Sequence, residues 1–291
     1  MSDSRWISCR DQSLLAAECD EWNKGLFREI LWEYGPLSPS ILKERGAKGW
    51  LYFENGSQAG FALGRQLRDW WHFEELWGPC DGSSELPLRI NRGDDARART
   101  FRKLLPKIGR KVLIRAPVDN PFASLIAHRI GAEWDGGFLL GTRDLSGKLP
   151  AEAPVGVKLR RFSKGDEKDM SRIHFDAFNF PFSARFFFKW ATSPNCRTTV
   201  AVSDGKVVGF LTAEKRKYQK YGDFNIAVDP VYHRRGIGSS LMERGLNDLA
   251  DMGCKTAMAD FWLQNAKVQA LNRKYGFRIV RAYNYFRLNR Y

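Results

Sequence analysis

Along residues 157–291 the apolar positions change period several times, and each change marks an element. VKLRRF (157–162) reads as a strand, GDEKDMSRIHFDAF (165–178) as a helix and FSARFFFKWAT (182–192) as a shorter, aromatic-laden helix. TTVAVSDGKVVGFLTAEK (198–215) sets two β-rich runs about Asp204 and Gly205, a hairpin, and YGDFNIAVD (221–229) adds a further strand. From 236 to 252 the apolar residues Leu241, Met242, Leu246 and Leu249 recur at three-to-four spacing, with Gly253 placed as a stop. A strand KTAMADFW (255–262), a helix NAKVQALNRKY (265–275) and a closing β pair RIVRAYNYFRL (278–288) complete this half.

The first half runs through the same order. ENGSQAGFAL (54–63) matches SDGKVVGFLT (203–212), each with a turn glycine four residues before a second glycine followed by Phe. DNPFASLIAHRIGA (119–132) matches QNAKVQALNRKYGF (264–277), each with Asn eleven residues before Gly. Two independent landmarks at offsets of 149 and 145 imply a tandem duplication of one α/β unit. The Pro- and Ala-rich stretch SGKLPAEAPVG (146–156) reads as the connection, dividing the chain into domains at 1–148 and 156–291 with a linker at 149–155.

Charge separates the halves. Residues 1–150 hold 22 Lys and Arg against 20 Asp and Glu, whereas 151–291 hold 25 against 13, so nearly all of the net +14 lies in the second half. Such a field favours a polyanion, either nucleic acid or a phosphorylated small molecule. No run of 18 apolar residues occurs, and MSDSRWISCRDQ lacks the basic and apolar regions of a signal peptide. The expectation is a soluble, cytoplasmic protein with no membrane partner. Cys9, Cys19, Cys80, Cys196 and Cys254 are scattered, without CxxC spacing or clustered histidine, and read as reduced structural thiols with no metal site.

The most informative segment is AVDPVYHRRGIGSS (227–240), a strand, a tight basic glycine turn and a helix start. Amide groups at a helix N-terminus are unpaired and carry the positive end of the dipole, and glycines let a phosphate approach them. Arg234, Arg235, Gly236, Gly238 and Ser239 are placed for this. A dinucleotide-binding GxGxxG is incomplete, and no GK[ST] of a P-loop follows.

Strand, then [Gln/Arg]-x-x-Gly-x-[Gly/Ala], then helix resembles the turn with which GNAT-superfamily N-acyltransferases hold the pyrophosphate of coenzyme A. His233 stands at the first motif position, where the family usually has Gln or Arg. The resemblance covers nearly all of 155–291. It implies that His233, Arg234, Arg235, Gly236, Ile237, Gly238 and Ser239 cradle the pyrophosphate. It also implies that the backbone of Ile226, Ala227 and Val228 splays from its neighbour and pairs with the pantetheine arm, and that Asn265 touches the cofactor. The implied fold is α/β (α+β): two tandem GNAT-like domains, each a mixed, mostly antiparallel twisted sheet flanked by helices. The implied activity uses acetyl-CoA, without a metal, to acetylate a primary amine of a small molecule or peptide.

Amide formation from a thioester needs a deprotonated amine and often an acid for the departing thiolate. Many family members supply that acid as a Tyr four residues before the helix-ending Gly. Here the position is Asn272, which hydrogen-bonds but is no proton source at neutral pH. Tyr283 or Tyr285 on the closing strands is the substitute, or the thiolate leaves unaided, while Tyr275 reads as a packing aromatic. For the base, Asp223 on the strand entering the turn comes first, with Glu214 and Asp260 behind it and a water chain as the alternative. The aromatic stretch FDAFNFPFSARFFFKW (175–190) lies where the family builds one wall of the acceptor site and suggests an apolar or aromatic acceptor. KRKYQK (215–220) reads as a solvated basic run.

At the corresponding place the first half has SSELPLRINRGDDA (83–96), with no GxG, and Asp94 and Asp95 would repel a pyrophosphate, so this copy is expected to bind no coenzyme A. Its tryptophans, Trp70 and Trp71 among them, read as core. Two other activities remain open: a non-catalytic acyl-CoA sensor, motivated by Asn272, and an aminoacyl-tRNA-dependent transferase. The intact pyrophosphate turn argues against the latter and hence against a nucleic-acid partner.

Overall fold

The computed structural model describes residues 4–22, 42–43, 46–67, 70–78, 92–105, 111–118, 120–179, 181–216 and 221–289. Residues 83–91, where the first copy's phosphate turn would lie, and the end of the basic run at 217–220 fall outside them. In chain order the elements are β1 (Ser4–Cys9), α1 (Gln12–Trp22), β2 (Lys48–Glu54), β3 (Ser57–Leu67), β4 (Trp70–Trp77), α2 (Arg92–Leu104), β5 (Val112–Pro117), α3 (Pro121–Arg129) and β6 (Glu133–Asp144). There follow β7 (Lys158–Arg161), α4 (Asp166–Phe178), α5 (Ala184–Ala191), β8 (Cys196–Ser203), β9 (Lys206–Lys215), β10 (Tyr221–Val228), α6 (Ile237–Asp251), β11 (Thr256–Trp262), α7 (Ala266–Lys274) and β12 (Arg278–Leu288).

Both sequence landmarks have a backbone cause. Asn55–Gly56 and Asp204–Gly205 each hold two consecutive left-handed residues (φ 53 and 81, 49 and 73), as a two-residue type I′ hairpin requires. Asn120 accepts a hydrogen bond from the Ala123 N–H, and Asn265 from the Val268 N–H, so each caps the helix it precedes. Gly131 (φ 80) and Gly276 (φ 72) then close those helices in the left-handed conformation. The repeat thus recurs as a repeat of turns and caps.

Packing divides the chain into two compact units: residues 1–139, 262–264 and 281–291 form unit 1, and residues 140–261 and 265–280 form unit 2. The division 1–148, 149–155 and 156–291 follows chain order, whereas compactness puts the end of β6 in unit 2 and the end of β11 and most of β12 in unit 1. Strand order in unit 1 is β1-β2-β3-β4-β5-β12-β6, and β12 pairs antiparallel with β5 from Tyr283↔Pro117 to Leu288↔Val112. In unit 2 the order is β6-β11-β10-β9-β8-β7. The closing β pair expected at 278–288 is therefore one eleven-residue strand, which takes its neighbours from β5 and β6 instead of folding back on itself. β4 pairs with β5, and β10 with β11, in parallel over three residues each, whereas β1–β2, β2–β3, β3–β4, β5–β12, β7–β8, β8–β9 and β9–β10 are antiparallel.

Unit 1 is built on an aromatic core of Trp50, Trp71, Phe73, Phe101, Phe122 and Phe286. In unit 2, Met170 and Ile173 of α4 and Phe187 of α5 pack with Phe210 and Ala227 on one face of the sheet. Leu241, Met242, Leu246 and Leu249 of α6 are buried on the other. Gly245 allows that close approach, since a Cβ there would lie 2.3 Å from a Leu211 methyl.

The connection at 146–156 is strapped along α6. Asn247 donates to the Leu149 carbonyl and accepts from the Leu149 N–H (both 2.9 Å), Glu243 accepts from the Ala151 N–H, and the Ser240 hydroxyl donates to the Glu152 carbonyl. Lower in the same unit, the buried Asp248 receives two hydrogen bonds from Arg161 at 2.5 and 2.6 Å, with Arg197 and Arg244 at 3.9 Å. Asp248→Ala leaves these guanidinium groups without their shared carboxylate. Because Arg161 is half-exposed and regains water, the expected loss is about 2 kcal/mol rather than the full value for a buried pair. A fall in Tm of roughly 4–8 °C, read by calorimetry, is the expected result.

Candidate active site

The site grows from the fork between β10 and β11. Their parallel pairing ends at Asp223↔Met258, whereas β10 stays paired with β9 as far as Val228↔Gly209. From Phe224 onward β10 therefore has one ladder neighbour only. The Asp229 N–H donates to the Val208 carbonyl, so strand alternation points the main-chain groups of Ile226 and Val228 to the other side, into the fork. An extended chain lying there would find the polar edge of a β-strand.

At the end of β10 the chain turns sharply. Asp229 caps the turn Pro230–Tyr232 by accepting from the Val231 N–H, and Arg172 of α4 donates to its other oxygen at 2.7 Å. Partial burial pushes the Asp229 carboxyl up, but the guanidinium and the N–H together bring it below the ordinary carboxylate value. The backbone then takes left-handed conformations at Arg234 (φ 62) and Gly236 (φ 82), and α6 starts at Ile237 with no side chain capping it. The first amides of a fifteen-residue helix are thus left to an outside acceptor. Arg234 and Arg235 are exposed beside them, Lys274 donates to the Ser239 hydroxyl at 3.0 Å, and Arg235 lies over the Tyr232 ring. The turn at the mouth of the fork is thus cationic and glycine-lined, with uncapped helix amides.

His233, at the first position of the motif, also has a side-chain role. Its ring Nε2 lies 2.9 Å from the Val228 carbonyl and ties the turn to the strand end, with Lys267 3.5 Å from Nδ1. Asn265 is occupied as the cap of α7. Tyr275 donates to Glu243 at 2.7 Å, and burial first, then that carboxylate, pushes its hydroxyl up to about 12, so it serves as a latch between α6 and α7.

The carboxylates divide by environment. Gly222 and Ala257 face each other across the parallel ladder, and the space above Gly222 is filled by Leu249 and Cys254 on the α6 side. Asp223, Asn225 and Asp260 accordingly point to the opposite face, the one carrying α4 and α5. Asp223 is paired with Arg216, which also lies 3.5 Å from Glu214. Burial pushes the Asp223 carboxyl up, against the pull of Arg216. Asp260 stands two residues past the last β10–β11 pair and is exposed. Asn272 is buried, donating to the Val268 carbonyl at 2.9 Å while its own carbonyl oxygen has no partner. Tyr283 belongs to unit 1, where it is buried between the guanidinium groups of Arg115 and Arg281, whereas the glycine-lined turn belongs to unit 2.

Sequence reasoning missed Asn225, whose side-chain oxygen is buried without a hydrogen-bond partner on the same face as Asp260. The signal was present in the polar alternation of Asp223 and Asn225 along an otherwise apolar strand. The nearby Cys196 thiol is pushed up to about 12, by burial first and then by Glu214. At pH 8.5 it should react with iodoacetamide two to three orders of magnitude more slowly than an ordinary cysteine. Mass-spectrometric mapping of labelling over time checks this.

Residues 167–277 match the acetyltransferase (GNAT) family. The chain is 41% identical over 54 residues to the [ribosomal protein bS18]-alanine N-acetyltransferase of Escherichia coli K12, covering 19% of this chain and 36% of that protein. It is 32% identical over 94 residues to the L-amino acid N-acetyltransferase AaaT of the same strain, covering 31% and 57%. The matches thus span about a third and rather more than half of these relatives' lengths. By fold the chain is similar to a GCN5-related N-acetyltransferase from Sphaerobacter thermophilus (TM-score 0.69, 17% identity, 97% of this chain and 95% of that one). It is also similar to a tandem GNAT protein from the clavulanic acid biosynthesis pathway (TM-score 0.60, 15% identity, 99% and 98%).

Proposed function

Over residues 167–277 the chain carries a domain of the GNAT acetyltransferase family, and from that premise we propose that the protein transfers the acetyl group of acetyl-CoA to a primary amine of a small molecule or peptide. The observation that carries the reading is the uncapped start of α6 behind two left-handed residues, at the mouth of a strand fork where β10 from Phe224 onward has one ladder neighbour. A pyrophosphate fits the first, and a pantetheine amide chain fits the second. Bound acetyl-CoA would supply an activated thioester carbonyl in the fork.

The amides of Ile237, Gly238 and Ser239, with Arg234, Arg235 and Lys274, would hold the pyrophosphate. The main chain of Ile226 and the N–H of Val228 would align the arm, the Val228 carbonyl being held by His233. Asp260, exposed at the fork, would take the proton from the incoming ammonium, so that the nitrogen lone pair forms the C–N bond as the C–S bond breaks. Asp223, held by Arg216, is less suited to that part. Asn272 has no acidic proton to give the departing thiolate, which would take its proton from water. The test is release of free thiol from acetyl-CoA over a panel of amines and peptides, with the acetylated product identified by mass. Turnover with one amine or more sustains the reading. The lack of a proton donor at Asn272 favours a second reading, a sensor that binds acetyl-CoA without turnover, and tight binding with no acceptor acetylated would select it.

A further inference from the structure

Where the connection meets β7, the outermost strand of unit 2, there is a cleft of about 380 Å³. The connection, β7, Thr199 of β8 and Arg244 of α6 form its wall, which among the described residues holds Lys158, Arg160, Arg161 and Arg244 but no carboxylate. Arg161 donates to Thr199 at 3.0 Å and twice to Asp248, whose side chain is 2% exposed. Arg197 and Arg244 come no nearer than 3.9 Å to that carboxylate, so three guanidinium groups meet at one buried acid and Arg244 keeps its N–H donors for another partner. The other acids nearby are engaged: Asp166 by Arg160 at 2.6 and 2.8 Å, Asp251 by Lys148, and Glu243 by the Ala151 N–H and the Tyr275 hydroxyl. Glu152, beside the wall, is exposed. The Phe162 N–H donates to the Thr198 carbonyl, so alternation along β7 turns the amides of Leu159 and Arg161 away from β8, toward the open edge.

We propose that this cleft binds a small organic phosphate monoester, and that its occupancy reaches the acetyl-CoA turn through the connection. Such a ligand brings close to two charges and three acceptor oxygens to Arg161, Arg244 and the edge amides. The volume lies at the low end for ligand pockets, which suits a metabolite and not a polymer. The path to the turn is short. Ala151, on the wall, is left-handed at φ 52, a conformation that costs a residue with a Cβ, and its N–H is taken by Glu243 of α6. Three residues on, Pro154 packs against the start of α6, its ring 3.4 Å from where a Cβ on Gly236 would lie. A ligand closing the cleft holds the connection on α6 and with it the turn at Gly236. Acetyl-CoA then meets a turn already ordered and pays less to bind, and the gain is reciprocal. This second part rests on the acetyl-CoA reading, whereas the site itself does not.

The probe is glycerol 3-phosphate, titrated by calorimetry at constant ionic strength, with malonate as a dicarboxylate for comparison. A Kd of about 1 mM or lower is expected, as a few charge-assisted hydrogen bonds at a half-exposed site support. Arg244→Ala should weaken it about tenfold or more, whereas Lys189→Ala, the same loss of charge on α5, should leave it within about twofold. Both positions are exposed on helices, where Ala is well tolerated. The uncapped amides behind Gly236 also attract phosphate, so the decisive variant is Gly236→Asp, in which binding to the cleft should persist. Absence of binding to the wild type, loss of binding in Gly236→Asp, or equal effects of Arg244→Ala and Lys189→Ala overturns the site. Malonate binding as tightly as glycerol 3-phosphate overturns the phosphate assignment. With the probe saturating, acetyl-CoA should bind the wild type about fivefold tighter and Arg244→Ala no tighter. Unchanged or weaker binding to the wild type removes the link to the turn. If acetyl-CoA does not bind at all, the transferase reading falls, and the glycerol 3-phosphate titrations still decide the cleft.

Discussion

Gly236→Asp should weaken acetyl-CoA binding at least a hundredfold while leaving the fold intact. The position is left-handed (φ 82), and a Cβ there would meet only Pro154, at 3.4 Å. Asp is among the few residues that tolerate this conformation, and at an N-cap its carboxylate accepts from the amides of the first turn. The helix thereby gains a cap, so Tm should change by no more than a few degrees. The same carboxylate occupies the amides proposed for the pyrophosphate and sets a negative charge against it. A hundredfold loss corresponds to about 2.7 kcal/mol, within reach of charge repulsion plus two lost hydrogen bonds. Gly236→Ala provides the contrast, since it strains the backbone without adding charge and should cost more stability and less affinity. Calorimetric titration with acetyl-CoA beside thermal melts reads both arms. Unchanged affinity in Gly236→Asp would remove the cradle from the proposal.

The turn on which the cradle is proposed was legible in the sequence because its geometry is local. A strand, a basic turn with Gly at two positions and a helix form one unbroken segment, and the φ values at Arg234 and Gly236 are what such a turn needs. The hairpins at Asn55–Gly56 and Asp204–Gly205 and the caps Asn120 and Asn265 were legible for the same reason. What escaped is long-range. Nothing in RIVRAYNYFRL says that its partner is Val112–Pro117, because an alternating strand carries no address for its neighbour. The Pro- and Ala-rich connection reads as a spacer, yet Asn247, Glu243 and Ser240 hold it by its main chain, a use of polar helix residues that composition does not disclose. Asn225 and the hydrogen bond of the His233 ring to Val228 were missed because each depends on which atoms lie opposite once the strands have paired.

Asp260→Asn should lower kcat/KM by two to four orders of magnitude at neutral pH with acetyl-CoA affinity unchanged, whereas Asp223→Asn should act mainly on stability. The two carboxylates lie on one face of neighbouring strands, so spacing along the chain does not separate their roles; environment does. Asp223 is half-buried beside Arg216, whereas Asp260 is exposed, and a base must be reachable by the incoming ammonium. Replacing Asp223 leaves Arg216 with Glu214 at 3.5 Å, and since that guanidinium is about a third exposed the expected loss is only about 1–2 kcal/mol. Asp260 is exposed beyond the last pair of the fork, beside the main-chain edge proposed to align the thioester. An amide there cannot accept a proton, so the variant depends on amine already neutral in solution, and its rate should climb tenfold per pH unit toward the amine pKa near 10. The wild type should level off well below that. The separation shows in pH–rate profiles of both variants measured alongside their melts. A flat wild-type-like profile for Asp260→Asn with collapse of activity in a stable Asp223→Asn would move the proton transfer to Asp223.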